Sequence, residues 1–247
     1  MVYAPKKQEV SDSQIIDNVL AVVKRDMKAA LDYFYPLAAA GTPLLDAAIA
    51  RAVGLTVLHM DGFTTKPAEG DLFTITGDTQ VYEVISSTAL VGTDSDVTFR
   101  PGLKVAIPAV DGNEAVTFTG LPDFAERMVG RFFKQTYPSF AIEPLLNGPQ
   151  QSADGSWIEA GLKINMFLAV SAPDPPLVEK KAAKYARALS SVIRNATVAD
   201  FVAGIPAGII FALNWEMSYE YGLIGKAQNG YFEKPVSFEL LLKFNER

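Results

Sequence analysis

Apolar residues at helical spacing mark the first part of the chain. Between Ile15 and Phe34 they return every three or four positions, and most charged residues lie on the opposite face. This pattern predicts an amphipathic helix, which Pro36 ends because the residue before a proline disfavours helical backbone. A second helix is predicted from Thr42, as its cap, to Gly54. Residues 1–54 are therefore expected to form a helical segment.

Strand-type alternation replaces the helical pattern after this segment. Gly77 and Asp78 supply a turn between two alternating runs, which predicts a hairpin. Several short strands without helices predict a small all-β barrel or sandwich over residues 55–120. The strands are expected at Leu72–Thr76, Val81–Ile85, Val97–Phe99 and Ala115–Phe118. The expected core consists of Phe73, Ile75, Tyr82, Val84, Phe99 and Phe118.

Residues 121–247 alternate between helical and strand patterns. Asp174 precedes two prolines and is expected to cap a helix. The order helix–strand–helix–strand–strand predicts an α+β unit with an antiparallel sheet, so the whole chain is expected to be α+β. The other elements are a helix after Leu121-Pro122-Asp123 carrying Phe124, Met128, Phe132 and Phe133, a strand near Phe140–Ile142, a loop from Glu143 to Ser156, and strands Trp157–Val170, Ile209–Tyr221 and Val236–Phe244.

Composition removes several classes of protein. The chain has no cysteine, which excludes disulfides, thiolate metal sites and thiol nucleophiles. No uninterrupted apolar run is long enough to span a bilayer, so no membrane partner is expected. Residues 55–120 carry three basic and nine acidic residues, whereas the rest of the chain is balanced. Because phosphate binding needs clustered cations, this acidic module is not expected to seek nucleic acid.

Residues that often carry chemistry are few. His59 is the only histidine and has apolar neighbours, which favours a packed or edge-strand histidine over a metal ligand. Asp94 and Asp96 alternate as in a calcium loop, but the following glycine and distal glutamate of an EF-hand are missing, which favours a solvated turn. No phosphate-binding glycine motif occurs. We expect no cofactor, no metal and no enzymatic activity.

The β-type segment over residues 70–118 contains four recognisable short sequence motifs. It reads GDLFTITG at 70–77, VYEV at 81–84, VTFRPGL at 97–103 and DGNEAVTF at 111–118. This phrasing resembles small β modules in virion proteins of tailed bacteriophages, and the element order of residues 121–247 is similar to that of tail-terminator and connector proteins of phage necks. The resemblance implies a structural virion protein made in the host cytoplasm, without catalytic function.

The resemblance also implies partners. It favours a homo-oligomeric ring around the DNA channel that contacts portal, adaptor or tail-tube proteins, with DNA nearby in the channel. A capsid-decorating or baseplate protein is an alternative within the virion class. A glycan-binding protein or enzyme that uses paired carboxylates is an alternative from another class.

Two sets of residues are candidates for contacts in such a ring. The apolar face of the last strand is expected to be a subunit interface, in which the strand is donated to an adjacent sheet: Val236, Phe238, Leu240 and Leu242. Cations on the helix after Asp174 are expected to form a basic face toward the channel or a neighbour: Lys180, Lys184, Arg187 and Arg194. For the cations, the alternative is a merely solvated helix face.

Overall fold

A computed structural model describes residues 12–45, 50–107, 114–126, 137–151, 158–207, 210–226 and 231–246. Within them the chain forms helices and two mainly antiparallel sheets, which confirms the α+β class. The helices are α1 Asp12–Phe34, α2 Pro175–Asn195 and α3 Val198–Phe201. The strands are β1 Ala40–Leu45, β2 Val57–Thr65, β3 Leu72–Ile75, β4 Tyr82–Ser87, β5 Ser95–Arg100, β6 Val116–Thr119, β7 Ala125–Glu126, β8 Ser139–Gln151, β9 Ile158–Ala172, β10 Ile210–Tyr221, β11 Gly225–Lys226 and β12 Phe232–Glu246.

The first sheet curls into a nearly closed barrel. Its six strands are ordered β1-β2-β5-β4-β3-β6, and all neighbours are antiparallel. The first and last strands meet where Leu44 and Ala115 form an isolated bridge and the Leu45 N–H donates to the Glu114 carbonyl at 2.9 Å. The predicted small barrel is therefore present, and the hairpin around Gly77 is its β3–β4 pair.

Aromatic side chains fill the barrel. The Phe73 ring lies with its centroid 5.2–5.3 Å from the rings of Tyr82, Phe99 and Phe118. Phe73, Tyr82 and Phe99 are fully buried, and Phe118 packs against them from a partly exposed position. Offset and edge-to-face ring pairs of this kind add stability beyond the buried area. The six residues expected from alternation all contribute to this core, which also takes in Leu45, Leu58, Met60 and Phe63 of β1 and β2.

The predicted second helix is wrong, because residues 40–45 form strand β1. Gly41 has a φ of +118°, and a Cβ there would lie 2.2 Å from the Gly62 carbonyl oxygen of β2. This close approach suits a strand pair and only glycine tolerates it. Arg51 forms a bridge with Ile107, so the barrel also takes in this position. The β module therefore begins at residue 40, and the helical segment 1–54 is not a unit.

The second sheet lies in the C-terminal part. Its strand order is β10-β12-β9-β8-β7, in which only the β7–β8 pair is parallel. Here β8 runs through to Gln151, which corrects the loop predicted from Glu143 to Ser156. Ala125 and Glu126 form β7 where a helix was predicted, and Met128, Phe132 and Phe133 lie outside the described residues. The strands predicted around 140, 158–170, 210–221 and 236–244 are confirmed.

Helices α1 and α2 cover one face of this second sheet. α2 packs across β9 and β12, while α1 packs against α2 and β8. Asp174 caps α2 as predicted, since its side chain accepts from the Leu177 N–H at 2.8 Å. The apolar stripe of α1, from Ile15 to Leu31, belongs to the same core cluster as α2 and the sheet. We refer to α1, α2, α3 and the second sheet together as the helix–sheet unit.

The barrel is inserted into the helix–sheet unit between α1 and β7. The chain leaves at the end of α1 and returns at Gly120, where a Cβ would lie 3.6 Å from an Asp32 side-chain oxygen. Because both connections lie side by side, removing the barrel opens only a short gap in the backbone.

Replacing residues 36–119 by a short Gly-Ser linker is expected to leave a folded helix–sheet unit. Its core residues come from α1 and from residues after 120, so they are retained. Circular dichroism should show the helical signal and a cooperative thermal transition. Loss of the cooperative transition would show instead that the barrel is needed for the rest to fold.

A second prediction concerns the central position of β12. Leu240→Ala is expected to lower the free energy of unfolding by about 2–5 kcal/mol, because this fully buried side chain leaves a cavity. The exposed Leu223→Ala is the matched control and should change it by less than about 0.5 kcal/mol. Urea unfolding at two protein concentrations gives both free energies. If Leu240→Ala lowers the free energy of unfolding only at the higher concentration, the side chain of Leu240 is buried by another subunit.

Candidate functional site

A buried ion pair joins the barrel to the helix–sheet unit. The Lys181 ammonium on α2 lies 2.9 and 3.0 Å from the two carboxylate oxygens of Glu83 on β4. It donates a third hydrogen bond to the Ser171 carbonyl at 3.1 Å. Both residues are less than a tenth exposed. All three protons of the ammonium are therefore used, as a buried charge requires.

Burial sets the electrostatics of this pair. Loss of water raises the pKa of Glu83, while the attraction of Lys181 offsets part of that rise. Leaving either charge alone in this environment is costly, because burial removes the water that would otherwise solvate it. The pair therefore requires the barrel and α2 to meet in one arrangement.

A cavity of about 380 Å³ lies beside the ion pair, between the two sheets. Three of its polar side chains have partners on the protein: Glu83 and Lys181 bind each other, and the Tyr137 hydroxyl donates to Glu233 at 2.6 Å. Burial raises the pKa of Tyr231, which also lines the cavity. The two charged groups of the cavity wall are thus occupied with each other at the junction.

Three of the four cations of the predicted basic face contact the chain's own residues. Lys180 forms an ion pair with Glu69 of the barrel at 2.6 Å. The Lys184 ammonium lies 5.2 Å from the centroid of the Tyr35 ring, and the Arg187 guanidinium carbon lies 4.7 Å from that of the Phe34 ring. These cation–π contacts fix α2 against the end of α1.

The fourth cation of the basic face stands apart. Arg194 is exposed in the last turn of α2, where a positive charge favours the helix dipole. It has no ion pair or ring contact within the described part of the chain. The proposed contact of the basic face with a channel or a neighbour stays a prediction.

The predicted subunit interface requires a correction. The β12 face was expected to be donated to a neighbour, but β12 lies between β9 and β10 of its own sheet. Its apolar side chains are covered by the helices of the same chain and are at most 2% exposed: Val236, Phe238, Leu240 and Leu242. The alternation of apolar residues correctly predicted that this face of β12 is buried. The prediction that a neighbouring subunit buries it is wrong, because helices of the same chain do so.

His59 lies on the exposed side of β2 rather than in a core. Its Nδ1 is 2.8 Å from an Asp96 oxygen, and its Nε2 is 3.9 Å from an Asp94 oxygen. Asp94 sits in a tight turn closed by a bridge to Val91, which agrees with the solvated turn expected there. Over the residues that the structure describes, no group of three or more such side chains is arranged to hold a metal ion.

Sequence reasoning missed the central role of Lys181. Lys181 is one of the cations of α2, yet it lies three and four positions from Val178 and Leu177 and four from Tyr185, all on the buried stripe. A cation on an apolar helical stripe was the available signal for Lys181. Glu83 gave no such signal, because it points to the face of β4 opposite to the buried Tyr82 and Val84.

Comparisons with known proteins add no relative. No protein-family model matches the chain, and no curated protein shows significant similarity to it. None of the helices in the described ranges is both long and apolar enough to traverse a lipid bilayer.

Lys181→Met is expected to lower the free energy of unfolding by about 3 kcal/mol, because it leaves the buried Glu83 carboxylate without its counter-charge. The neighbouring Lys180→Met removes an exposed pair and should cost at most about 1 kcal/mol. Chemical denaturation measures both. Equal effects of the two substitutions would mean that the junction does not depend on the buried pair.

Proposed function

We propose that this chain is a structural protein of a tailed-phage particle, positioned in the neck as a head-to-tail connector or tail terminator. The observation that carries the proposal is the barrel. Its strands β3 to β6 contain the central parts of the GDLFTITG, VYEV, VTFRPGL and DGNEAVTF segments, whose phrasing resembles virion β modules; residues 111–113 lie outside the described residues. The segments that define the resemblance thus build one folded body.

The rigid junction supports a structural role. The buried Lys181–Glu83 pair and the exposed Lys180–Glu69 pair both connect α2 to the barrel. A subunit whose two parts keep one arrangement can repeat identical contacts around a symmetry axis. A ring of such subunits would position a barrel at each repeat.

The outer face of the second sheet supports assembly. Phe167 on β9, Ser237 on β12 and Glu216 on β10 all point away from the helices and are exposed. A sheet covered on one face gains stability when a neighbour covers the other. We propose that neighbouring subunits or portal, adaptor or tail-tube proteins contact this face.

The distribution of charge on the chain is compatible with DNA in the channel of such a ring. The barrel segment is acidic, whereas the basic face of α2 exposes Arg194. In a ring around a DNA channel, the barrel would lie away from the phosphates and Arg194 would lie nearer to them. The role is mechanical, in the virion, and it requires no chemical step.

The experiment examines assembly and location together. Purified protein is expected to form closed rings of uniform size by light scattering coupled to gel filtration and by cryo-electron microscopy. Mass spectrometry and immunogold labelling of purified particles should find the protein at the neck. A chain that stays monomeric at every concentration and is missing from particles would refute the proposal, whereas labelling of the capsid surface or the baseplate would favour those two alternatives.

A further inference from the structure

The two edges of the second sheet differ in how they are protected. The β8 edge carries Pro144 and Pro149, which lack an N–H, and it is partly paired by β7. The β10 edge runs for 12 residues and contains no proline, glycine or lysine. None of the described strands pairs with its outer side. Proteins usually blunt exposed edges with such residues, so an unprotected edge of this length indicates a strand partner.

Aromatic residues accompany this edge. On the helix side of β10, Trp215 and Met217 are partly buried, while Tyr219 and Tyr221 are 41% and 44% exposed. Tyr219 packs against Phe238 of β12 with ring centroids 5.4 Å apart, so the strip is held in place. Ordered aromatic and methionine side chains that remain partly uncovered are typical of interface positions.

The charge on the other side of β10 defines the partner. Glu216 and Glu220 point to the outer face, where they stand opposite Leu241 and Ser237 of β12. In the described part of the chain neither forms an ion pair, and β10 carries no basic residue. An added strand would therefore need Lys or Arg at alternate positions to complement these carboxylates.

A second copy of β10 fits this edge poorly. Antiparallel pairing of two such strands around Ser218 places Glu216 of each copy opposite Glu220 of the other. Four carboxylates then share one face, and like charges directly opposite each other destabilise a sheet. Charge complementarity therefore favours a different protein as the source of the strand.

We propose that β10 accepts, by strand addition, an extended segment of another protein in which apolar residues alternate with Lys or Arg. The backbone of the added strand pairs with the free edge of β10. Its apolar side chains extend the strip of Trp215, Met217, Tyr219 and Tyr221, and its cations meet Glu216 and Glu220. This inference rests on the edge strand alone and holds whether or not the chain forms a phage ring.

The test uses the full chain and two labelled decapeptides of equal charge. One alternates Lys and Val, and the other alternates Lys and Pro, which cannot form a strand ladder. Fluorescence anisotropy is expected to show saturable binding of the Lys-Val peptide and much weaker binding of the Lys-Pro peptide. Hydrogen exchange should show new protection of amides within 210–221 when the Lys-Val peptide is bound.

Variants separate this site from general attraction to an acidic protein. Glu216→Lys combined with Glu220→Lys is expected to weaken Lys-Val binding by about tenfold, because two cross-strand charge pairs become repulsive. Glu143→Lys is the matched control, since Glu143 is exposed on the same sheet at the opposite edge. It should leave binding unchanged, and circular dichroism checks that all variants are folded.

Three results would overturn the proposal. Equal binding of the two peptides would show that charge alone attracts them. Equal loss in Glu143→Lys and in the double variant would remove the assignment to β10. Protection of β10 amides in the protein alone, rising with protein concentration and with dimer mass in sedimentation, would identify a second copy as the occupant. Failure of the ring experiment leaves these outcomes unaffected, so the two proposals are tested separately.

Discussion

The contact between Lys181 and Glu83 is the constraint on which the arrangement of this molecule depends. Two residues 98 positions apart in sequence place opposite charges in one buried site, and each offsets part of the desolvation penalty of the other only when the two meet. Apolar packing alone would tolerate sliding of the barrel on α2. The pair adds direction and register, in the manner that buried polar groups fix register elsewhere. A two-part chain thereby becomes one building block.

Local pattern predicted most of this fold because local physics decides most of it. The α1 stripe from Ile15 to Leu31, the Asp174 cap and the turn at Gly77 each depend on residues close in sequence. The second helix failed for the opposite reason. At Gly41 the decisive contact is the Gly62 carbonyl, a tertiary neighbour that turn and cap signals do not report. Tertiary pairing overrode a plausible local preference.

In the candidate site, too, local sequence predicted which residues are buried or charged, but not which tertiary partners they contact. Alternation along β12 identified its buried face, from Val236 to Leu242, yet it carries no information about whether a helix of the same chain or a neighbour covers that face. Helix α2 of the same chain supplies the cover, because it packs across β9 and β12. Counting cations on α2 likewise gave a basic face, whereas their partners come from the barrel and from the end of α1.

The insertion of the barrel explains how these constraints fit together. Since the helix–sheet unit closes its own core with α1, the barrel is free to vary in surface while its attachment at α2 stays fixed. The acidic residues of the barrel and the open β10 edge then lie on different parts of the molecule. Such a protein can bind one partner through the barrel and another through the β10 edge. Because the junction keeps the two surfaces apart, binding at one does not block binding at the other.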